Sequence, residues 1–158
     1  MYELCEILVN KLKSKGLTLS CAESCTGGLI AKSITDISGC SSVFYGGVVS
    51  YDNSVKMNVL GVKEETLNEY GAVSFQTAEE MALGVKKALK TDIGISTTGI
   101  AGPSGGTRGK PVGTVYIGIA INDTVESFRL NLGSRCSRSE IRIKAVCQIL
   151  SKLLDKIS

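Results

Sequence analysis

The chain contains no histidine. That absence removes Ser-His-Asp and Cys-His catalysis, H-E-x-x-H metal centres and every imidazole proton shuttle. Any general base must then be a lysine, a carboxylate, a tyrosine or a cysteine. Charge of one sign is also lacking: eighteen Lys and Arg against fifteen Asp and Glu leave a net charge of only +3. This is far from the dense basic stripe of a nucleic-acid footprint. Arg135, Arg138, Arg142 and Lys144 do cluster near the C-terminus, but without interleaved aromatics, in a chain that is only 5% aromatic. The cluster reads as a solvated helix face, or as the source of one arginine for an anionic ligand. No apolar run approaches the roughly 18–20 residues of a membrane span. Residues 1–15 carry charges throughout, so there is no signal-peptide core. No C-x-x-C pair occurs among Cys5, Cys21, Cys25, Cys40, Cys136 and Cys147, which removes the ligand spacing of structural zinc. The thiols are expected to be reduced, mostly buried, and cytoplasmic.

What the chain does hold is material for one ordinary domain. At 158 residues and 43% hydrophobic content, it can bury about 68–70% of its unfolded surface. Leu4, Cys5, Leu8 and Leu12 recur at helical spacing up to Gly16. A short buried strand is expected over Leu17–Ala22 and a helix over Thr26–Ser38. A second strand follows at Gly46–Tyr51, then two short helices around Asp52–Val59 and Lys63–Tyr70. Ser74 is placed to cap a helix over Thr77–Lys90. Ile93–Thr98 reads as a strand. Gly113–Ile121 and Val125–Leu132 flank Asn122-Asp123-Thr124 as a hairpin, and a last helix spans about Ser137 to Lys156. The expected fold class is α/β: a three-layer α/β/α sandwich whose mixed sheet contains a C-terminal β-hairpin.

Three segments carry chemistry. Ala22-Glu23-Ser24-Cys25-Thr26-Gly27-Gly28 stands between a strand and a helix, where a serine meets the unpaired N–H groups of a helix start. Those groups can hold an oxyanion or a phosphate. By itself the segment is equally compatible with a capping or phosphate-binding serine. Ser50-Tyr51-Asp52-Asn53-Ser54-Val55-Lys56 leaves a strand and enters a short helix. Without histidine, a Ser–Lys or Ser–Tyr–Lys arrangement is the natural nucleophile–base unit. A free lysine is neutral only about 0.04% of the time at pH 7, so a lysine base requires burial or a positive dipole to lower its pKa. A surface lysine beside a packed tyrosine is the structural alternative. The third segment, Gly99–Pro111, is rich in glycine, which lets the backbone approach a ligand and point several N–H groups inward. Its length without regular structure favours a functional loop over a plain connection.

Together the segments resemble the C-terminal domain family of the competence/damage-inducible protein CinA, the nicotinamide-nucleotide amidohydrolases. The resemblance runs from about Lys11 to Leu153. It is carried by AESCTGGLIA (22–31), GGVVSYDNSVK (46–56), LGV (60–62), GAVS (71–74), TGIAGPSGG (98–106) and KPVGTVYIG (110–118). The chain departs from the family at Phe75, where a glutamate often stands, and at Ser134, where an aspartate usually precedes Arg135. Many members carry a further N-terminal domain, so residues 1–158 correspond to the amidohydrolase module alone.

The resemblance implies deamidation of nicotinamide mononucleotide to nicotinate mononucleotide and ammonia, with Ser24, Tyr51 and Lys56 as the catalytic residues. Joined to the residue-level reading, it gives a scheme in which Lys56, assisted by Tyr51, takes the Ser24 proton. Cys25, Thr26, Gly27 and Gly28 would bind substrate, with the N–H groups near Thr26 and Gly27 holding the oxyanion. Gly102, Gly105, Gly106 and Thr107, or Arg135, would hold the 5′-phosphate. No metal or organic cofactor is required. The expected partners are a small nucleotide and a second copy of the chain in a homodimer, with neither nucleic acid nor membrane. Two other classes fit the same residues: a cysteine amidase using Cys25, and a nucleotide-binding module without turnover.

Overall fold

The computed structural model describes residues 1–158. Helix α1 (Tyr2–Lys15) buries Cys5, Leu8, Val9 and Leu12 and stops at Gly16, whose φ of 64° closes the last turn. Strand β1 (Leu19–Glu23) is buried along its whole length, as a central strand covered on both faces should be. Helix α2 (Leu29–Thr35) and a short 3₁₀ turn at Cys40–Ser42 lead to β2 (Phe44–Val49). Helices α3 (Asn53–Leu60), α4 (Glu64–Tyr70) and α5 (Phe75–Leu89) follow. Strand β3 (Ile93–Gly99), the hairpin β4 (Thr114–Ile121) and β5 (Thr124–Asn131), and helix α6 (Arg138–Lys156) complete the chain.

The five strands form one mixed sheet in the order β2-β1-β3-β4-β5. β1 is parallel to β2 and β3, while β3–β4 and β4–β5 are antiparallel. Helices α1, α2 and α6 pack together on one face, over a core that includes Leu8, Leu12, Ile34, Ile95, Ile117, Ile149 and Leu153. On the other face α5 lies against the sheet, and Met81 and Val85 meet Ala22, Leu60 and Val62. Gly94 and Gly118 allow that approach, since a Cβ at either would collide with the carbonyl of Ala82 or Ala78. The α/β class, the three layers and the hairpin agree with the sequence reading; α6 follows the hairpin and ends the fold. No helix is long and apolar enough to cross a membrane.

Helices α5 and α6 begin where their caps stand. Ser74 accepts from the Thr77 N–H. Ser137 and Glu140 form a reciprocal capping box at the start of α6. The second helix is the main departure: it begins at Leu29, not Thr26. Gly27 and Gly28 have φ of 55° and 92°, which right-handed helix excludes. Residues 24–28 are therefore a tight loop.

Candidate active site

In an open sheet of this order, the chain leaves β1 toward β2 on one side and returns to β3 on the other. Side chains following the C-terminal ends of β1, β2 and β3 therefore meet around one crevice, where such sheets bind ligands. A pocket of about 230 Å³ opens there. Ser24 and Cys25 come from the end of β1, and Tyr51, Asn53 and Lys56 from the chain after β2. Ala72 and Val73 precede α5, Thr98, Gly99 and Ala101 stand at the end of β3, and Arg138 opens α6. Ser24 thus lines one cavity with Tyr51 and Lys56, which come from a later segment of the chain.

Lys56 is only 1% exposed. Its Nζ donates to the Ser50 carbonyl at 2.8 Å and the Tyr51 carbonyl at 3.3 Å. No carboxylate pairs with it. The nearest candidate in sequence, Asp52, caps α3 and accepts from the Ser54 N–H and hydroxyl at 2.8 and 2.6 Å. Burial without an ion pair pushes the Lys56 amine below its ordinary value. A neutral lysine has two N–H donors and one lone pair. The two carbonyls accept both donors, which leaves the lone pair free.

Tyr51 stands at the pocket mouth, 62% exposed. Its hydroxyl accepts from Arg138 Nη2 at 2.7 Å, while Arg138 Nη1 donates to the Gly102 carbonyl at 2.8 Å. One guanidinium therefore joins the tyrosine to the start of the glycine-rich loop.

The 24–28 loop is held on several sides. The Ser24 N–H donates to the Thr97 carbonyl at 2.9 Å, and the hydroxyls of Thr26 and Thr97 share a 2.7 Å hydrogen bond. Glu23, 1% exposed, accepts from the N–H groups of Gly28, Ile30 and Ala31 at 3.1, 3.0 and 2.9 Å. Its negative charge thus meets the positive end of α2. The Gly27 N–H is taken by the Ser24 carbonyl at 3.1 Å. These bonds correct the expected anion donors: Gly27 and Gly28 have no N–H to give. The N–H groups of Cys25 and Thr26 donate to no backbone carbonyl.

Two further expectations are corrected. Gly102, Gly105, Gly106 and Thr107 do not line the pocket; only Gly99 and Ala101 of that region do. Thr107 spends its N–H and hydroxyl on Lys110 inside the loop. Arg135 is exposed and outside the pocket, because it precedes α6, whose first residue is Arg138. Of the other substrate-binding candidates, Cys25 lines the pocket, whereas Thr26 is fully buried and does not line it. Burial pushes the Cys25 thiol up to about 12. Phe75 packs edge-on against Tyr116, ring centres 4.6 Å apart, and like Ser134 lies outside the pocket.

Sequence reasoning missed Glu23, Asn53, Ala72, Val73 and Thr98, and it ranked Arg135 above Arg138. A carboxylate ending an otherwise uncharged strand directly before the serine was the available signal for Glu23. For Arg138 it was the Ser137 cap, which fixes where the helix begins.

Comparison with known proteins agrees with this architecture. The family description "CinA C-terminal domain" matches residues 1–157. A CinA-like protein of Trichormus variabilis is 54% identical over 155 residues, 98% of this chain and 37% of that protein. One from Kosmotoga olearia is 53% identical over 140 residues, 89% of this chain and 34% of that protein. The chain thus spans about a third of the length of these curated relatives. Among solved structures, the competence/damage inducible protein CihA from Agrobacterium tumefaciens superposes with a TM-score of 0.94 at 41% identity, covering 98% of this chain and 93% of that one. A competence or damage-inducible protein from Enterobacter asburiae gives 0.95 at 35% identity, covering 99% and 98%. The chain belongs to the CinA C-terminal domain family.

Proposed function

We propose that the chain is a serine-dependent amidohydrolase converting nicotinamide mononucleotide and water to nicotinate mononucleotide and ammonia. The observation that carries the reaction type is Lys56: a fully buried lysine with no carboxylate partner, lining the same pocket as Ser24. A depressed lysine beside a hydroxyl is a nucleophile–base unit that needs no histidine. The substrate comes from the family resemblance, and the pocket's small apolar residues Ala72, Val73 and Ala101 suit a flat ring.

Ser24 Oγ attacks the carboxamide carbon as its proton passes to the Lys56 lone pair, with Tyr51 assisting. The carbonyl oxygen becomes an oxyanion beside the Cys25 N–H, the donor adjacent to the nucleophile being a familiar arrangement. The C–N bond breaks as the Tyr51/Lys56 pair returns the proton to nitrogen, and ammonia leaves. Water, deprotonated by the same pair, then cleaves the ester on Ser24. Arg138 at the mouth is the cation placed to meet the 5′-phosphate.

The raised Cys25 thiol supports serine over cysteine, since the thiolate is the sulfur nucleophile. Steady-state ammonia release tests the reading. Nicotinamide mononucleotide should turn over and free nicotinamide should not. No ammonia from the mononucleotide would leave a binding module without turnover.

A further inference from the structure

Arg142 lies outside the pocket on the second turn of α6, and it reaches back to the nucleophile loop. Its Nε and Nη2 donate to the Thr26 carbonyl oxygen at 3.2 and 2.7 Å. Two donors of one rigid guanidinium converging on one oxygen fix the orientation of the peptide that follows Thr26. The same oxygen also accepts from the Leu29 N–H of α2 at 3.1 Å, and the loop's remaining ties run to Thr97 on β3, Glu23 at the end of β1 and Lys32 of α2. Arg142 is its tie to α6. Arg138 sits four residues earlier, on the same helix face, and holds the Tyr51 hydroxyl. One face of α6 therefore contacts both the tyrosine and the loop that carries the Cys25 N–H. The Arg142 charge also reaches Cys25, where it favours the anionic form against burial.

We propose that Arg142 is the positioning residue of the oxyanion site: by holding the Thr26 carbonyl it fixes the loop that presents the Cys25 N–H to the developing negative charge. The proposal rests on the serine-hydrolase reading, and its test separates the two.

The probe is a fluorophosphonate, which phosphonylates an activated serine with loss of fluoride and does not depend on the identity of the natural substrate. Wild type should label at Ser24. Arg142→Ala and Arg142→Gln should label at least about tenfold more slowly, below the loss for deleting a direct oxyanion donor. Guanidinium ion at millimolar concentration should restore part of the Arg142→Ala rate, and Arg142→Lys should fall between the two. With nicotinamide mononucleotide, kcat should fall while KM stays within about twofold, the signature of an interaction made in the transition state. Equal labelling rates in wild type and Arg142→Ala would overturn the positioning role. So would equal losses in the Lys, Gln and Ala variants without guanidinium rescue, because that pattern marks a merely structural residue. An unlabelled wild type would overturn the serine reading, and the proposal with it.

Discussion

Arg138 and Tyr51, 87 positions apart in sequence, meet side chain to side chain, with Nη2 donating to the phenolic oxygen at 2.7 Å. The same guanidinium donates to the Gly102 carbonyl at 2.8 Å, so its fork is held at both ends. Arg138 therefore fixes where the phenolic oxygen stands at the pocket.

That coupling predicts non-additive kinetics. Tyr51→Phe and Arg138→Met should each lower kcat, and the double variant should be little worse than Tyr51→Phe alone. Kinetics of the four proteins in a double-mutant cycle check this. Losses that simply multiply would mean the two residues act separately.

Lys56 predicts a pH dependence. Its amine is held below the ordinary value of 10.5 by burial, and it works as a base only when neutral. The kcat/KM of wild type should therefore rise with pH through one ionisation below 10.5. Lys56→Arg keeps the charge but cannot deprotonate, so it should lose on the order of 10²–10⁴ in rate. Substantial activity in that variant would show that Lys56 supplies only charge.

The same shift predicts how stability varies with pH. Where the folded-state pKa lies below the unfolded value, the unfolded chain holds more protons between the two, so stability rises with pH across that window. Below the folded pKa the burial penalty is present in full. Lys56→Met removes it at every pH. The Tm of the variant minus that of wild type should thus shrink as pH rises from 7 toward 10.5. A difference that is flat or growing would contradict a depressed lysine.

Cys25 should be chemically quiet. With its thiol pushed up to about 12, almost no thiolate exists at neutral pH. Iodoacetamide at pH 7.5 should leave activity intact over the time that alkylates a free thiol, and Cys25→Ala should keep most of its kcat. Rapid inactivation that Cys25→Ala prevents would restore the thiol as a candidate.

Most of the fold was legible because its signals are local. The apolar stripe of α6 and its Ser137 cap, the hairpin around Asn122-Asp123, and the buried β1 run all lie within one element. The start of α2 was misplaced because Leu29, Ile30 and Ile34 continue a helical period that ends only at the positive φ of Gly27 and Gly28. The candidate site was legible in part, since Ser24, Tyr51 and Lys56 lie on the segments that follow β1 and β2, whose parallel pairing brings those segments together. Its donors were not. The hydrogen bonds of the 24–28 loop depend on Glu23 folding back onto α2 and on Arg142 arriving from 116 residues away. The glycine-rich loop was overvalued for a related reason. Glycines permit a backbone to approach a ligand, but here the polar groups of Thr107 are spent within the loop itself.

The most direct measurement of the central claim is initial-rate ammonia release from nicotinamide mononucleotide by wild type, Ser24→Ala and Cys25→Ala, with the Tm of each protein recorded alongside. Wild type and Cys25→Ala should both release ammonia, and Ser24→Ala should sit at background while melting near wild type. Ammonia release by a folded Ser24→Ala protein at a rate near that of wild type would contradict the assignment of Ser24 as the nucleophile.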